Sequence, residues 1–130
     1  MIKTEKKLSI FLKLGNIEFL DFLISPTGSI EKISQDEYVY SIELDINVKN
    51  KVIVQLLNKP KINSYLQITK IQLGTALLNH FDSFSTYSAN GKIKKTYGWM
   101  DEVGSYTINI HGNAVSQNLL LFLLSTKNHG

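Results

Sequence analysis

Residues 96–106 combine the side-chain types that bind sugars. This segment holds the only tryptophan, two tyrosines and two acids, and its glycines let the backbone bend. Sugars stack their apolar C–H faces on aromatic rings, and planar carboxylate or amide groups hydrogen-bond their hydroxyls. We therefore predict a ligand-binding loop around Trp99. The side chains that would supply its ring faces and polar groups are Trp99, Tyr97, Tyr87, Asp101, Asn58 and Asn113.

A purely structural role for the same segment is the competing interpretation. Trp99 would then fill one end of the protein core, and Asp101 and Glu102 would only solvate a turn. The exposure of the indole separates the two interpretations, because an exposed indole beside acids indicates a site and a buried one indicates core.

Metal binding has little support in the sequence. The histidines His80, His111 and His129 show neither His-x-His nor His-x-x-x-His spacing. Structural calcium stays open as an alternative, because loop carboxylates and backbone carbonyls are its usual ligands. No other cofactor is indicated. The acids that would contribute to a calcium site are Asp82, Asp101 and Glu102.

Catalytic motifs are missing from the sequence, and we expect no enzyme. There is no Gly-x-Ser-x-Gly elbow for a nucleophilic serine, and no cysteine to act as a nucleophile. The adjacent acids Asp36-Glu37 and Asp101-Glu102 lie in predicted turns, where solvated carboxylates are ordinary. Gly98 to Gly104 matches neither a Walker A loop nor a dinucleotide fingerprint.

The charge of the 130-residue chain does not point to a nucleic-acid partner. All fourteen basic residues are lysines spread along the sequence, and the net charge is +3. Without arginine the chain lacks the planar fork that reads guanine edges and clamps phosphate. Sequence-specific nucleic-acid binding is therefore not expected.

No membrane or secretion signal is recognisable. The longest apolar run, residues 119–124, is six residues long, whereas a membrane-spanning helix needs about twenty. The apolar residues that follow the charged N-terminus are interrupted by polar ones and lead to no small-residue cleavage site. We expect a soluble protein that is cytoplasmic or virion-associated, with no signal peptide.

The hydrophobic pattern indicates an all-β protein. The chain has only three alanines against fifteen isoleucines, and branched and aromatic side chains suit a pleated sheet. Residues 38–48 alternate apolar and polar side chains, which is typical of a half-buried strand, and residues 8–14 do the same. Further strands are predicted at 17–24, 29–33, 52–57, 65–73, 84–87, 93–97 and 105–110, and residues 119–124 are either a strand or a short helix.

Turn signals fix how these strands are expected to connect. Asn90-Gly91 accepts the positive φ angles of a type I′ hairpin turn. Residues 49–51 are too few for anything but a hairpin, residues 25–28 suit a type I turn with Pro26, and Gly15-Asn16 suits a tight turn. The apolar character of both faces of 17–24 places that strand in the interior of a sheet.

We therefore predict a single domain over residues 1–130. Its fold is an antiparallel two-sheet β-sandwich, jelly-roll-like, with eight to ten short strands.

The order of features resembles carbohydrate-binding-module-like jelly-roll β-sandwich domains, including those in bacteriophage structural proteins. The resemblance covers residues 38–110 and rests on the strand types at 49–59 and 66–74, with the dipeptides Asn58-Lys59 and Gly98-Trp99. It implies a two-sheet jelly roll with a binding or assembly role, and Asn58, Lys59 and Trp99 as the matching positions.

The expected function is noncatalytic binding of a carbohydrate through the loop around Trp99. The alternative is a structural or assembly domain, for example of a phage particle, that acts through protein–protein contacts. The expected partner is thus a glycan or a protein, including further copies of this chain in a homo-oligomer.

Overall fold

The computed structural model describes residues 5–15, 21–58, 65–78 and 81–110. These residues form strands and one short 3-10 helix at Phe81–Phe84. The strands are β1 (Glu5–Gly15), β2 (Asp21–Ser25), β3 (Ser29–Lys32), β4 (Glu37–Asp45), β5 (Asn50–Asn58), β6 (Tyr65–Leu73), β7 (Ala76–Leu77), β8 (Ser85–Ala89), β9 (Lys92–Lys94), β10 (Trp99–Met100) and β11 (Gly104–Ile110).

Two antiparallel sheets make up the fold, which confirms the predicted all-β sandwich. Sheet A has the order β10-β6-β1-β4-β3, with β7 also paired to β6, and sheet B has the order β2-β5-β11-β8-β9. The described residues contain eleven strands, one more than the expected range. The strands β7 and β10 are two residues long, too short for an alternation pattern to reveal.

Alternation along the strands builds a single core between the sheets. In β1 the four inward side chains, Leu8, Ile10, Leu12 and Leu14, are buried as their spacing predicts. Burying a leucine or isoleucine side chain contributes roughly 1.5–3 kcal/mol. The side chains that sheet B contributes to the same core include Val52, Val54, Leu56, Tyr106 and Ile108.

The Asn90-Gly91 prediction is confirmed. These two residues join β8 to β9 and have φ angles of 54° and 73°. Both values lie in the left-handed region that a type I′ turn requires.

The hairpin predicted at 49–51 is wrong, because β4 and β5 belong to different sheets. Asn47 donates its backbone N–H to the Asp45 carboxylate at 3.0 Å. The Asn50 amide then donates to the backbone oxygens of Asp45, at 2.7 Å, and Val48, at 3.1 Å. These bonds bend the chain out of sheet A and into sheet B, which a count of intervening residues does not reveal.

The second strand also departs from its predicted place. In the described part of the chain β2 pairs with β5 alone, at one end of sheet B, and Leu23 is exposed. The Ser25–Pro26 peptide bond is cis, and the segment after it crosses from sheet B to sheet A. The Tyr40 hydroxyl donates to the Pro26 carbonyl at 2.6 Å and holds this crossing.

Several sequence predictions fall outside the described residues. They concern the turn at Asn16, the loop 111–118 and the strand or helix at 119–124. Within the described ranges, no helix has the length and apolar character needed to cross a membrane.

Candidate functional site

Strand β10 sets the direction of the Trp99 side chain. It lies antiparallel to β6, with Trp99 opposite Gln67 and Met100 opposite Leu66. Neighbouring residues in a strand point to opposite faces. Met100 and Leu66 are buried in the core, so Trp99 and Gln67 lie on the outer face of sheet A.

Gly98 allows β10 to approach β6 this closely. Its φ is +90°, and a Cβ there would overlap the Ile68 carbonyl oxygen. The Ile68 N–H donates to the Gly98 carbonyl at 2.7 Å, and the Trp99 N–H donates to the Thr96 carbonyl at 3.2 Å. Only glycine fits this position without strain, so the residue before Trp99 fixes the indole at the sheet edge.

Tyr65 forms the second ring of the site. Its ring stacks on Trp99 with centroids 4.2 Å apart and 19° between the ring planes. Tyr65 lies opposite Gly15 in β1, where a Cβ would overlap the Tyr65 ring. The glycine therefore makes room for Tyr65, and Tyr65 in turn supports the indole.

Trp99 does not fill the end of the core. It keeps 38% of its surface exposed while it stacks on Tyr65. Tyr97 is 76% exposed and has a φ of 53°, a left-handed conformation that projects it from the Thr96–Trp99 turn. The two aromatic residues flank Gly98 and both are accessible to a ligand.

Tyr87, which we predicted as a ligand contact, lies instead in the core with no exposed surface. Its hydroxyl donates to the Glu102 carbonyl and accepts the Glu102 N–H at 3.1 Å. Burial raises the pKa of this hydroxyl. Tyr87 therefore holds the loop after β10 from the core side through its hydroxyl, and its buried ring presents no face to a ligand.

The acids of the loop differ in their surroundings. Glu102 forms an ion pair with Lys94, with Oε2 to Nζ at 2.7 Å, and this hydrogen bond raises the pKa of Lys94. Asp101 is exposed. The described residues contain no group of three or more histidine or acidic side chains close enough to hold a metal, so the calcium alternative gains no support from them.

The remaining predicted contacts lie in the other sheet or outside the described residues. Asn58 ends β5 in sheet B, opposite Asp21, whereas Trp99 lies in sheet A. Lys59, Asn113 and the three histidines lie outside the described residues.

Two residues of the site were not predicted from the sequence. Tyr65 and Gln67 are ordinary outward positions of a strand, and only the pairing of β6 with β10 brings them to Trp99. The spacing of Tyr65 to Leu73 revealed the strand, but nothing in it identified the strand's neighbour.

Chemically, the arrangement is an apolar platform with polar neighbours. The stacked rings offer an aromatic surface, Gln67 is the cross-strand neighbour of Trp99 on the same face, and Asp101 follows within the loop. An aromatic face with a few polar groups matches the two-sided character of a sugar ring.

The comparisons with known proteins found no matching family model, no matching curated protein and no matching solved structure.

Proposed function

We propose that this protein is a noncatalytic carbohydrate-binding module whose contact surface is centred on Trp99. The observation that carries the proposal is the accessible indole, 38% exposed and stacked on Tyr65 at the edge of sheet A. An indole held this way offers a sugar its aromatic surface without first having to rearrange.

Preorganisation supports the proposal. Gly98 sets the position of β10, and Tyr65 limits rotation of the indole. Immobilising a flexible side chain on binding costs about 0.5–1.5 kcal/mol. A ring that is already fixed avoids most of this cost, and Tyr97 and Asp101 lie near enough in the chain to contact the same ligand.

A glycan array with matched variants tests the proposal. Wild-type protein should bind at least one class of glycan, and Trp99→Ala should abolish that binding while far-ultraviolet circular dichroism stays unchanged. Ile93→Ala is the control, because Ile93 is 73% exposed on β9 of the other sheet and its loss should leave binding intact. No binding by the wild-type protein would count against the proposal, as would equal loss in both variants.

A second candidate function, assembly through protein–protein contacts, is favoured by the edge of sheet A. All four residues of β3 are exposed, and β3 has β4 as its one neighbour among the described strands. An exposed edge strand offers backbone groups that can pair with another chain. Light scattering should then show oligomers that grow with concentration, and a strict monomer at all concentrations would exclude this function for β3.

A further inference from the structure

The outer face of sheet A carries a second feature, an open cavity of about 380 Å³ away from Trp99. It lies at the start of β3, where Ser29 is paired with Ser41 of β4. The residues of β4 that follow Ser41 have no strand beside them on the β3 side, among the described strands. Five of its lining side chains are polar: Lys7, Ser29, Glu31, Ser41 and Glu43.

Gly28, which lines the cavity, is tightly packed against β4. A Cβ on Gly28 would lie 2.6 Å from the Ser41 carbonyl oxygen and 2.7 Å from the Tyr40 ring. The Tyr40 hydroxyl also donates a hydrogen bond to the Pro26 carbonyl, in the segment that connects β2 of sheet B to β3 of sheet A. The start of β3 is therefore fixed against β4, and the cavity is part of the packed fold.

Strand register places the cavity and Trp99 on one face. Trp99 lies opposite Gln67, and Gln67 lies opposite Lys13 of β1. Four residues back along β1, Ser9 lies opposite Ser41 at the cavity. Along each strand the neighbours of these residues are buried or are packed against the core, so all of these residues point outward.

The distance between the two features suits an extended ligand. Trp99 and Glu31 are separated by four strand spacings, or roughly 19 Å, since adjacent strands lie about 4.8 Å apart. Phe11 and Val39 lie opposite each other between them, both partly exposed. The Lys70 ammonium sits 4.3 Å from the centroid of the Phe11 ring. A disaccharide is too short to contact both features, whereas a longer chain is not.

The strand residues between Trp99 and the cavity carry balanced charge. They include three outward lysines and three outward glutamates, and two lysine–glutamate pairs are directly opposite in register. This stretch gives no electrostatic advantage to a polyanion or a polycation, and Asp101 beside Trp99 and Asp45 beyond the cavity add negative charge that disfavours a polyanion. The six residues are Lys7, Lys13, Lys70, Glu31, Glu37 and Glu43.

We propose that the cavity is a second subsite of the Trp99 site, and that the two together bind one uncharged oligosaccharide chain across the outer face of sheet A. This inference rests on the proposed carbohydrate-binding function. Trp99 stacks on one sugar unit, and the carboxylates and hydroxyls of the cavity hydrogen-bond the hydroxyls of a unit farther along the chain.

Chain length is the variable that tests the second subsite. Cello-, xylo-, manno- and malto-oligosaccharides, from disaccharides to hexasaccharides, are titrated calorimetrically into the wild-type protein and three variants. In the series that binds, the hexasaccharide should bind about tenfold more tightly than the disaccharide, a gain of roughly 1.4 kcal/mol. Glu31→Ala combined with Glu43→Ala removes both hydrogen-bonding groups, so it should remove this gain and leave the disaccharide affinity unchanged.

The other two variants separate the possible failures. Trp99→Ala should weaken every length, and Lys51→Gln, a charge change on sheet B, should weaken none. Equal affinity for all lengths, or a gain that survives the double alanine variant, would overturn the second subsite while the Trp99 site stands. Binding of charged glycans alone would overturn the uncharged class, and no binding to any glycan would overturn the carbohydrate function itself.

Discussion

Gly98→Ala is the substitution that most sharply tests how the site is built. At a φ of +90° an added Cβ overlaps the Ile68 carbonyl oxygen. Any relief must move β10 away from β6 and lengthen the 2.7 Å hydrogen bond from Ile68 to Gly98. Trp99 follows directly in the chain, so its ring moves away from Tyr65.

The expected loss of stability can be worked from these contacts. A left-handed conformation costs a non-glycine residue roughly 1–2 kcal/mol. Loss of the Ile68 hydrogen bond adds about 1 kcal/mol, and loss of the Tyr65–Trp99 ring pair adds about 1 kcal/mol. We therefore expect Gly98→Ala to lower the free energy of unfolding by about 3–4 kcal/mol, a large share of the total in a domain of this size.

Gly91→Ala is the matched control. Gly91 also has a positive φ, +73°, but a Cβ there would have nothing within 4 Å. Gly91→Ala should therefore lower the free energy of unfolding only by the roughly 1–2 kcal/mol that the backbone strain costs. Urea unfolding followed by circular dichroism measures both losses, and the emission of the only tryptophan reports the local change. Equal losses in the two variants, with unchanged emission in Gly98→Ala, would refute the reasoning.

Three further predictions concern the surroundings of the site. Tyr65→Ala should lower the free energy of unfolding by about 1 kcal/mol through loss of the ring pair and shift Trp99 emission to the red, whereas Tyr65→Phe should do neither. Burial raises the pKa of the Tyr87 hydroxyl above its ordinary value of 10.0. Above that pH the unfolded chain releases a proton that the folded chain keeps, so the free energy of unfolding should fall as the pH rises past about 10. The fall with pH should be shallower in Tyr87→Phe, which has no hydroxyl to titrate. Lys94→Met should leave the urea midpoint nearly unchanged, because its ion pair with Glu102 is solvent-accessible, and a large shift would show that the pair holds the loop.

The strands of the fold were largely predictable because alternation is a local signal. The inward side chains of β1 alternate regularly, those of β6 alternate on either side of the bulge at Thr69 and Lys70, and Asn90-Gly91 is a turn by its own chemistry. Each of these features depends only on residues near one another in the chain.

The connections between sheets were not predictable in the same way. The segment after Asp45 has hairpin length, yet its side-chain hydrogen bonds lead it to the other sheet. Sheet membership depends on which distant strand completes the core, and spacing within the segment carries no information about that.

The candidate site was predicted only in part, because its loop is recognisable from nearby residues whereas its second ring comes from a distant strand. The types and spacing of Trp99, Tyr97 and Asp101 identified the loop. The place of Tyr65 beside Trp99 depends on the pairing of β6 with β10. Tyr87 was assigned to the surface because the inward face of β8, which includes the buried Ser85, is too polar to indicate its direction.

The most direct test of the central claim is the fluorescence of Trp99 during titration with the glycan that binds most strongly on the array. Trp99 is the only tryptophan, so its emission reports from this position alone. We predict a saturable blue shift, because a sugar stacked on the indole removes water from it, with a midpoint equal to the calorimetric dissociation constant. Calorimetric binding with unchanged emission would place the ligand elsewhere and contradict the claim.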